Sequence, residues 1–291
     1  MDRRMFLKYS AAAAAGAAAL GVLPSATAQE PTRIYRALKI GMLPSDLSDK
    51  DKFALAKRAG FEGIDGSPIE DLDAAREQAQ WAKEAGVPLH GLVFGGWHAP
   101  FSSPDPAVIK KGMDGMEVAL RHANAIGATT VLLVPAVVDE NVSYADAYTR
   151  SQQHIRELIP LAAEMKVVIG IENVWNKFLL SPLEFARYLD EFDSPWVKAY
   201  FDIGNVIIYG YSQHWIRILD KRIVKLDVKD FKREGYEWKN LLEGDVNWRE
   251  VRKALTEIGY SGFMTAEVDG GDEAYLTDLA QRMERINAGD V

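Results

Sequence analysis

Eight times along the chain a short apolar run is followed by a segment of helical character, and four of the later runs end on a carboxylate. Val-Val-Ile-Gly-Ile (167–171) leads to Glu172, Lys-Ala-Tyr-Phe (198–201) to Asp202, Arg-Ile-Val-Lys-Leu (222–226) to Asp227 and Gly-Phe-Met-Thr-Ala (262–266) to Glu267. Runs of this length separated by helices are the pattern of βα units around a parallel sheet. Carboxylates at the C-terminal ends of such strands converge on one face. Uncompensated like charges that close together resist ionisation. A bound cation is the simplest remedy, and hard oxygen ligands suit Mg²⁺ or Mn²⁺.

In order, strands are expected at Leu38–Met42, Phe61–Asp65, Leu89–Phe94, Thr130–Val134 and then at the four runs above, the seventh reaching about Lys229. Helices are expected at Asp49–Ala59, Leu72–Ala85, Ile109–Ile126, Tyr144–Met165, Pro182–Phe192, Ser212–Leu219, Trp248–Ile258 and Glu273–Ile286. Gly60, Gly86, Gly127 and Gly259 stop four of them. Gly95–Pro106 and the aromatic-rich Phe231–Val246 read as loops, and Gln29–Arg36 as a linker. Eight units without interruption favour a single closed (β/α)8 TIM barrel, and the lack of a G-x-G-x-x-G after the first strand weakens a dinucleotide-binding reading.

Residues 1–28 read as a cleavable signal peptide. Arg3, Arg4 and Lys8 form its charged start, Ala11–Val22 its apolar stretch, and Ala26-Thr27-Ala28 its cleavage site. Arg3-Arg4-Met5-Phe6-Leu7-Lys8 suits the twin-arginine route, with an ordinary secretory signal as the alternative. Export to the periplasm or outside the cell follows. The apolar stretch is too short to anchor the mature chain in a membrane. Residues 29–291 remain for the barrel, close to the ~250 typical of that fold. The chain has no cysteine, which excludes disulfides, thiolate metal sites and a cysteine nucleophile. A net charge of −8 without a basic block in the mature chain argues against nucleic acid as a partner.

Five stretches resemble the xylose isomerase-like TIM barrels, a family that includes sugar epimerases and hexulose-phosphate isomerases. They are IENVWNKFLLSP (171–182), YFDIGNV (200–206), RIVKLDVKD (222–230), EGDVNW (243–248) and GYSGFMTAE (259–267), in the family's order. The resemblance implies a divalent-metal site made by Glu172, Asp202, position 227 and Glu267, with Glu172 and Glu267 as catalytic base and acid. It implies proton abstraction next to a carbonyl through a metal-bound enediolate, giving a sugar isomerase or epimerase. The family usually has His-x-Lys-Asp where this chain has Asp227-Val228-Lys229-Asp230. Aspartate keeps an oxygen ligand and tilts the site toward Mn²⁺ or Mg²⁺. The alternative is a lost metal site with Asp227 merely hydrogen-bonded.

Side chains two apart on a strand face the same way, so Lys225 is expected to point into the barrel and offset the extra negative charge. Trp97, His98, Asn176 and Lys229 are candidate substrate contacts, with Trp175 nearby and Asn205 either binding or capping a helix. His90, His122 and His154 read as structural, and Asp65 as an outer neighbour of the site. The expected partner is a small sugar, unphosphorylated because sugar phosphates are cytoplasmic metabolites; a homo-oligomer is compatible. A 3-keto-glycoside lyase working by β-elimination at the same site is the runner-up, and a non-catalytic sugar-binding protein a third reading.

Overall fold

The computed structural model describes residues 33–291. The expected signal peptide, residues 1–28, lies outside the described residues. Eight parallel strands close on themselves: β1 (Ile34–Lys39), β2 (Gly63–Gly66), β3 (Leu89–Gly95), β4 (Thr130–Leu133), β5 (Val168–Glu172), β6 (Val197–Asp202), β7 (Ile223–Val228) and β10 (Gly262–Ala266). Their order around the barrel is β1-β10-β7-β6-β5-β4-β3-β2. The helices are α1 (Asp49–Ala59), α2 (Leu72–Ala85), α3 (Pro106–Ile126), α4 (Tyr144–Met165), α5 (Pro182–Asp190), α6 (Ser212–Leu219), α7 (Trp248–Glu257) and α8 (Glu273–Ala288). This is the (β/α)8 barrel expected from the alternation of runs.

The strands are apolar almost throughout because both faces are covered, one by helices and one by the barrel interior. Outward residues such as Leu38, Ile64, Ile169, Ile171 and Phe201 are fully buried in the main core. Most helices begin where a side chain accepts from a free backbone N–H: Ser48, Asp71, Asp105, Ser143, Ser181, Asn247 and Asp272. α1, α2 and α3 end on the expected Gly60, Gly86 and Gly127, each with positive φ.

Three boundaries differ from the sequence reading in ways that matter. β1 lies earlier than Leu38–Met42, so Ile34–Arg36 is strand and not linker, and Lys39 becomes the last residue of the strand. β2 starts at Gly63 rather than Phe61. The segment Phe231–Val246 is not all loop, since β8 (Asp230–Lys232) and β9 (Glu237–Lys239) pair antiparallel as a hairpin above the barrel mouth. Its turn carries polar residues and two consecutive positive-φ positions, Gly235 and Tyr236, which sequence punctuation alone marks as a loop.

Asp230 fixes that hairpin. Its buried carboxylate accepts from Phe231 N (3.0 Å), Val246 N (3.1 Å), Leu242 N (3.1 Å) and Trp248 Nε1 (2.8 Å). One side chain thus ties both ends of the excursion to the end of β7. Gly244 permits this, because a Cβ there would sit 2.1 Å from Asp230 Oδ1. Asp230→Ala strands several buried donors. It is expected to lower stability by about 3 kcal/mol, and Tm by roughly 6 °C or more. Calorimetry showing Tm within a degree of the parent would contradict this role.

Candidate active site

Strand register builds the site. Asp202 of β6 lies beside Asp227 of β7, and Asp227 beside Thr265 of β10. Residues two apart share a face, so Tyr200 and Asp202, Lys225 and Asp227, and Thr265 and Glu267 form two inward tiers. In the upper tier, one carboxylate oxygen from each of Glu172, Asp202, Asp227 and Glu267 lies within 4.8 Å of the others. The first three are buried and Glu267 sits partly open at the mouth. This is the C-terminal face, where barrels of this type carry their chemistry.

Two ammonium groups enter the cluster. Lys39 Nζ is 2.8 Å from Asp227 Oδ2 and also bonds Glu267. Lys229 Nζ bonds Glu267 and lies 3.3 Å from Asp202 Oδ2. Four carboxylates against two ammoniums leave two negative charges in excess, in a largely buried place. Burial, with Glu267 close by, pushes Glu172 well above the carboxylate range. Burial also raises Asp227 to about 8 and Asp202 to about 6, with lysines opposing the rise in both. Glu267 is buried too, but Lys39 and Lys229 together pull it down to about 2.

The donor set fits a divalent cation. Asp227 Oδ1 is buried and has no hydrogen-bond partner. Glu172 has no lysine within ion-pair distance among the described residues, although Lys39 and Lys229 oppose the rise of its carboxyl from further off. All four donors are hard oxygens, which suits Mg²⁺ or Mn²⁺. A doubly charged ion would also bring the count of charges to zero.

Beneath lies a second polar tier. Lys225 does point inward and is buried, but it serves a different partner from the one expected. Its Nζ donates to His90 O (2.6 Å), contacts His90 Nδ1 and lies 3.9 Å from Asp65 Oδ1. Asp65 accepts from Thr265 Oγ1 (2.7 Å) and from Tyr200. Burial opposes its ionisation, yet the Lys225 ammonium and these hydroxyls draw it below the usual carboxylate range. Burial lowers His90 to about 3, keeping it neutral, with its ring stacked 3.7 Å from Phe263. Gly91 makes room, since a Cβ there would meet Asp65 Oδ1 at 2.2 Å. The charge assigned to Lys225 is therefore supplied in the upper tier by Lys39, which the sequence reading missed, and by Lys229.

The other candidates divide. Lys229 is in the cluster, and its Nζ also lies 5.0 Å from the Trp238 ring centre. Asn176 is buried, and its Nδ2 donates to Ala136 O (2.7 Å) while its Oδ1 accepts from Phe178 N (3.1 Å), so it ties two loops together. His98 lines a separate hollow with Phe94, Lys110, Lys111 and Asp114, because the turn after β3 carries it toward α3. Exposed Trp97 precedes it on that turn and, like His98, does not line the cleft at Lys229 and Glu267. Asn205 holds the site's frame: its N donates to Asp202 Oδ1 (2.6 Å) and its Nδ2 to Asn173 O (2.9 Å). Trp175 Nε1 donates to Asn205 O (2.8 Å). His122 accepts from Ile69 N (2.7 Å), a structural role.

A closed eight-stranded barrel with an acidic, cation-suited centre at its C-terminal mouth defines the class. The chain belongs to the xylose isomerase-like TIM barrel family, whose model matches residues 53–286. It is 24% identical over 233 residues to L-ribulose-5-phosphate 3-epimerase UlaE of Escherichia coli O1:K1 / APEC, spanning 76% of this chain and 82% of that one. Its fold is similar to that of a D-psicose 3-epimerase solved in the presence of D-fructose, with TM-score 0.74 and 16% identity over 88% of this chain and 100% of the other. The 3-keto-D-glucoside 4-epimerase YcjR from E. coli gives TM-score 0.74 and 15% identity over the same shares.

Cation binding must displace protons from the raised carboxyls, so affinity should fall as pH falls. Isothermal titration of Mn²⁺ is expected to weaken through the window from about 8 to about 6 set by Asp227 and Asp202. The expected slope is up to about tenfold per pH unit for each proton displaced. A flat profile across that window would contradict the assignment.

Proposed function

We propose that this chain is a divalent-metal-dependent sugar epimerase or isomerase that moves a proton at a carbon next to a carbonyl, acting on an unphosphorylated sugar. The observation that carries this is the convergence of Glu172, Asp202, Asp227 and Glu267 within 4.8 Å, at the mouth of a barrel of this family. The names of three similar proteins, each a sugar epimerase, support the reaction type. The signal-like N-terminus supports an exported enzyme, and outside the cytoplasm neutral sugars are the available substrates.

A cation held by the four carboxylates would supply Lewis-acid stabilisation of negative charge on substrate oxygens. The protein's own residues handle the protons. Glu172 and Glu267 are the outermost of the four in barrel order, so they flank whatever lies between them. Glu172 forms no ion pair with a lysine among the described residues, so with its proton displaced by the cation it is the carboxylate free to take the proton from carbon. Glu267 rests ionised between Lys39 and Lys229, so it relays a proton from one of these ammoniums to the other side of the carbon, and that lysine is then reprotonated from solvent. Return to the opposite face of the same carbon gives an epimer; return to the neighbouring carbon gives an isomer. Where a leaving group sits β to the carbonyl, the electron pair left by the departing proton expels it instead, which is the 3-keto-glycoside lyase reading.

The test is NMR in deuterated water with Mn²⁺-loaded enzyme and a panel of keto- and aldo-sugars plus a 3-keto-glycoside. Solvent deuterium is expected at the carbon next to the carbonyl of an epimerised or isomerised product. Aglycone release from the 3-keto-glycoside selects the lyase. Glu172→Gln and Glu267→Gln should each lower kcat on the order of 100- to 10,000-fold. Absence of deuterium uptake from every sugar overturns the proposal.

A further inference from the structure

The carboxylate cluster does not occupy the whole mouth. A cleft of about 440 Å³ opens beside it, with Lys229 and Glu267 as its inner end. One wall is the β8–β9 hairpin with Trp238, Lys239 and Asn240 at its exit, and the other is Val268, Asp269 and Tyr275 leading into α8. Sites in the range of about 300–1,000 Å³ take drug-sized ligands, whereas one hexose has only about twelve heavy atoms.

The hairpin wall is anchored by buried Phe231 of β8, while Trp238 of β9 stays open to the cleft. Trp238 is 46% exposed. Its ring nevertheless stacks on Trp175 (4.7 Å between centres, 27°) and meets Phe231 edge-on (5.0 Å, 67°). Trp175 is pinned through its hydrogen bond to Asn205, and Asp230 clamps the hairpin's base. An exposed indole fixed in this way offers an apolar surface at little cost in side-chain ordering.

Charge in the cleft selects among ligands. Lys229 is already engaged by Asp202 and Glu267, and Lys239 by Glu237. Asp269 in the opposite wall has no cation within ion-pair distance among the described residues. With Glu267 and Asp269 set against Lys229 and Lys239, the lining carries no net positive charge to receive a phosphate, which is ordinarily bound by Arg or Lys.

We infer that the cleft between the β8–β9 hairpin and the start of α8 is a subsite for an uncharged second ring. The substrate is then a neutral glycoside or disaccharide-sized sugar rather than a free monosaccharide or a phosphate ester. This rests on the carboxylate cluster being the site of a sugar's reacting ring. The reacting ring sits at the carboxylates and its substituent lies along Trp238 and Tyr275.

Calorimetric titration of the full chain loaded with Mn²⁺ tests this. The probes are D-glucose and D-fructose, their 6-phosphates, and the two-ring sugars cellobiose, isomaltulose and phenyl β-D-glucoside. At least one two-ring probe is expected to bind about tenfold more tightly than its one-ring parent, the scale of one well-made aromatic contact. That ratio should fall to within about twofold in Trp238→Ala, and fall also in Tyr275→Leu on the opposite wall. The inference is overturned if no two-ring probe gains over its parent, if the gain survives both substitutions, or if the phosphates gain instead. Deuterium exchange on the same probes separates this from the proposed reaction. Exchange without any two-ring gain removes the subsite alone. A gain dependent on Trp238 without exchange leaves the subsite and removes the reaction.

Discussion

Charge balance at the barrel mouth is the constraint on which the site depends. Four carboxylates from neighbouring strands cannot stay ionised in a buried place without counter-charge. Two lysines supply half of it, one from β1 and one from just beyond β7. The remaining two negative charges are either protonated away at Glu172 and Asp227 or matched by a divalent ion. Aspartate at position 227, where the family usually has histidine, adds the charge that Lys39 then meets directly. The departure and its compensation are on opposite sides of β10 in the barrel.

The tier below is a second buried polar group. Asp65, Lys225, neutral His90, Tyr200 and Thr265 contact one another inside the barrel, while Asp65 Oδ1 and His90 Nε2 have no hydrogen-bond partner. Each tier is set by strand register, so a shift of one residue would turn the network outward. The upper carboxylates Asp202 and Asp227 stand directly above this tier on the same strands as Tyr200 and Lys225.

The fold and the four carboxylates were legible because both depend on strand ends, and apolar runs that stop at Glu172, Asp202, Asp227 and Glu267 mark those ends clearly. Lys39 was not legible for the same reason in reverse. With the first strand read as Leu38–Met42, Lys39 falls at its start, far from the mouth, whereas the observed strand ends on it. The lone lysine in Ala37-Leu38-Lys39-Ile40 was the available signal. The hairpin was hidden because its strands are three residues long and its turn looks like any polar loop. Asn176 and His98 follow the expected strands, but sequence says nothing about where the turns send them. A tie to Ala136 and a swing toward α3 are tertiary facts.

The ion itself is the quantity that decides the account. Elemental analysis of the chain, saturated with Mn²⁺ and then desalted, measures it directly. The charge count predicts one divalent ion per chain, lost when Asp202 is replaced by Asn. Retention of no ion by the folded parent protein would contradict it, and would mean that two protons, not a metal, balance Glu172 and Asp227.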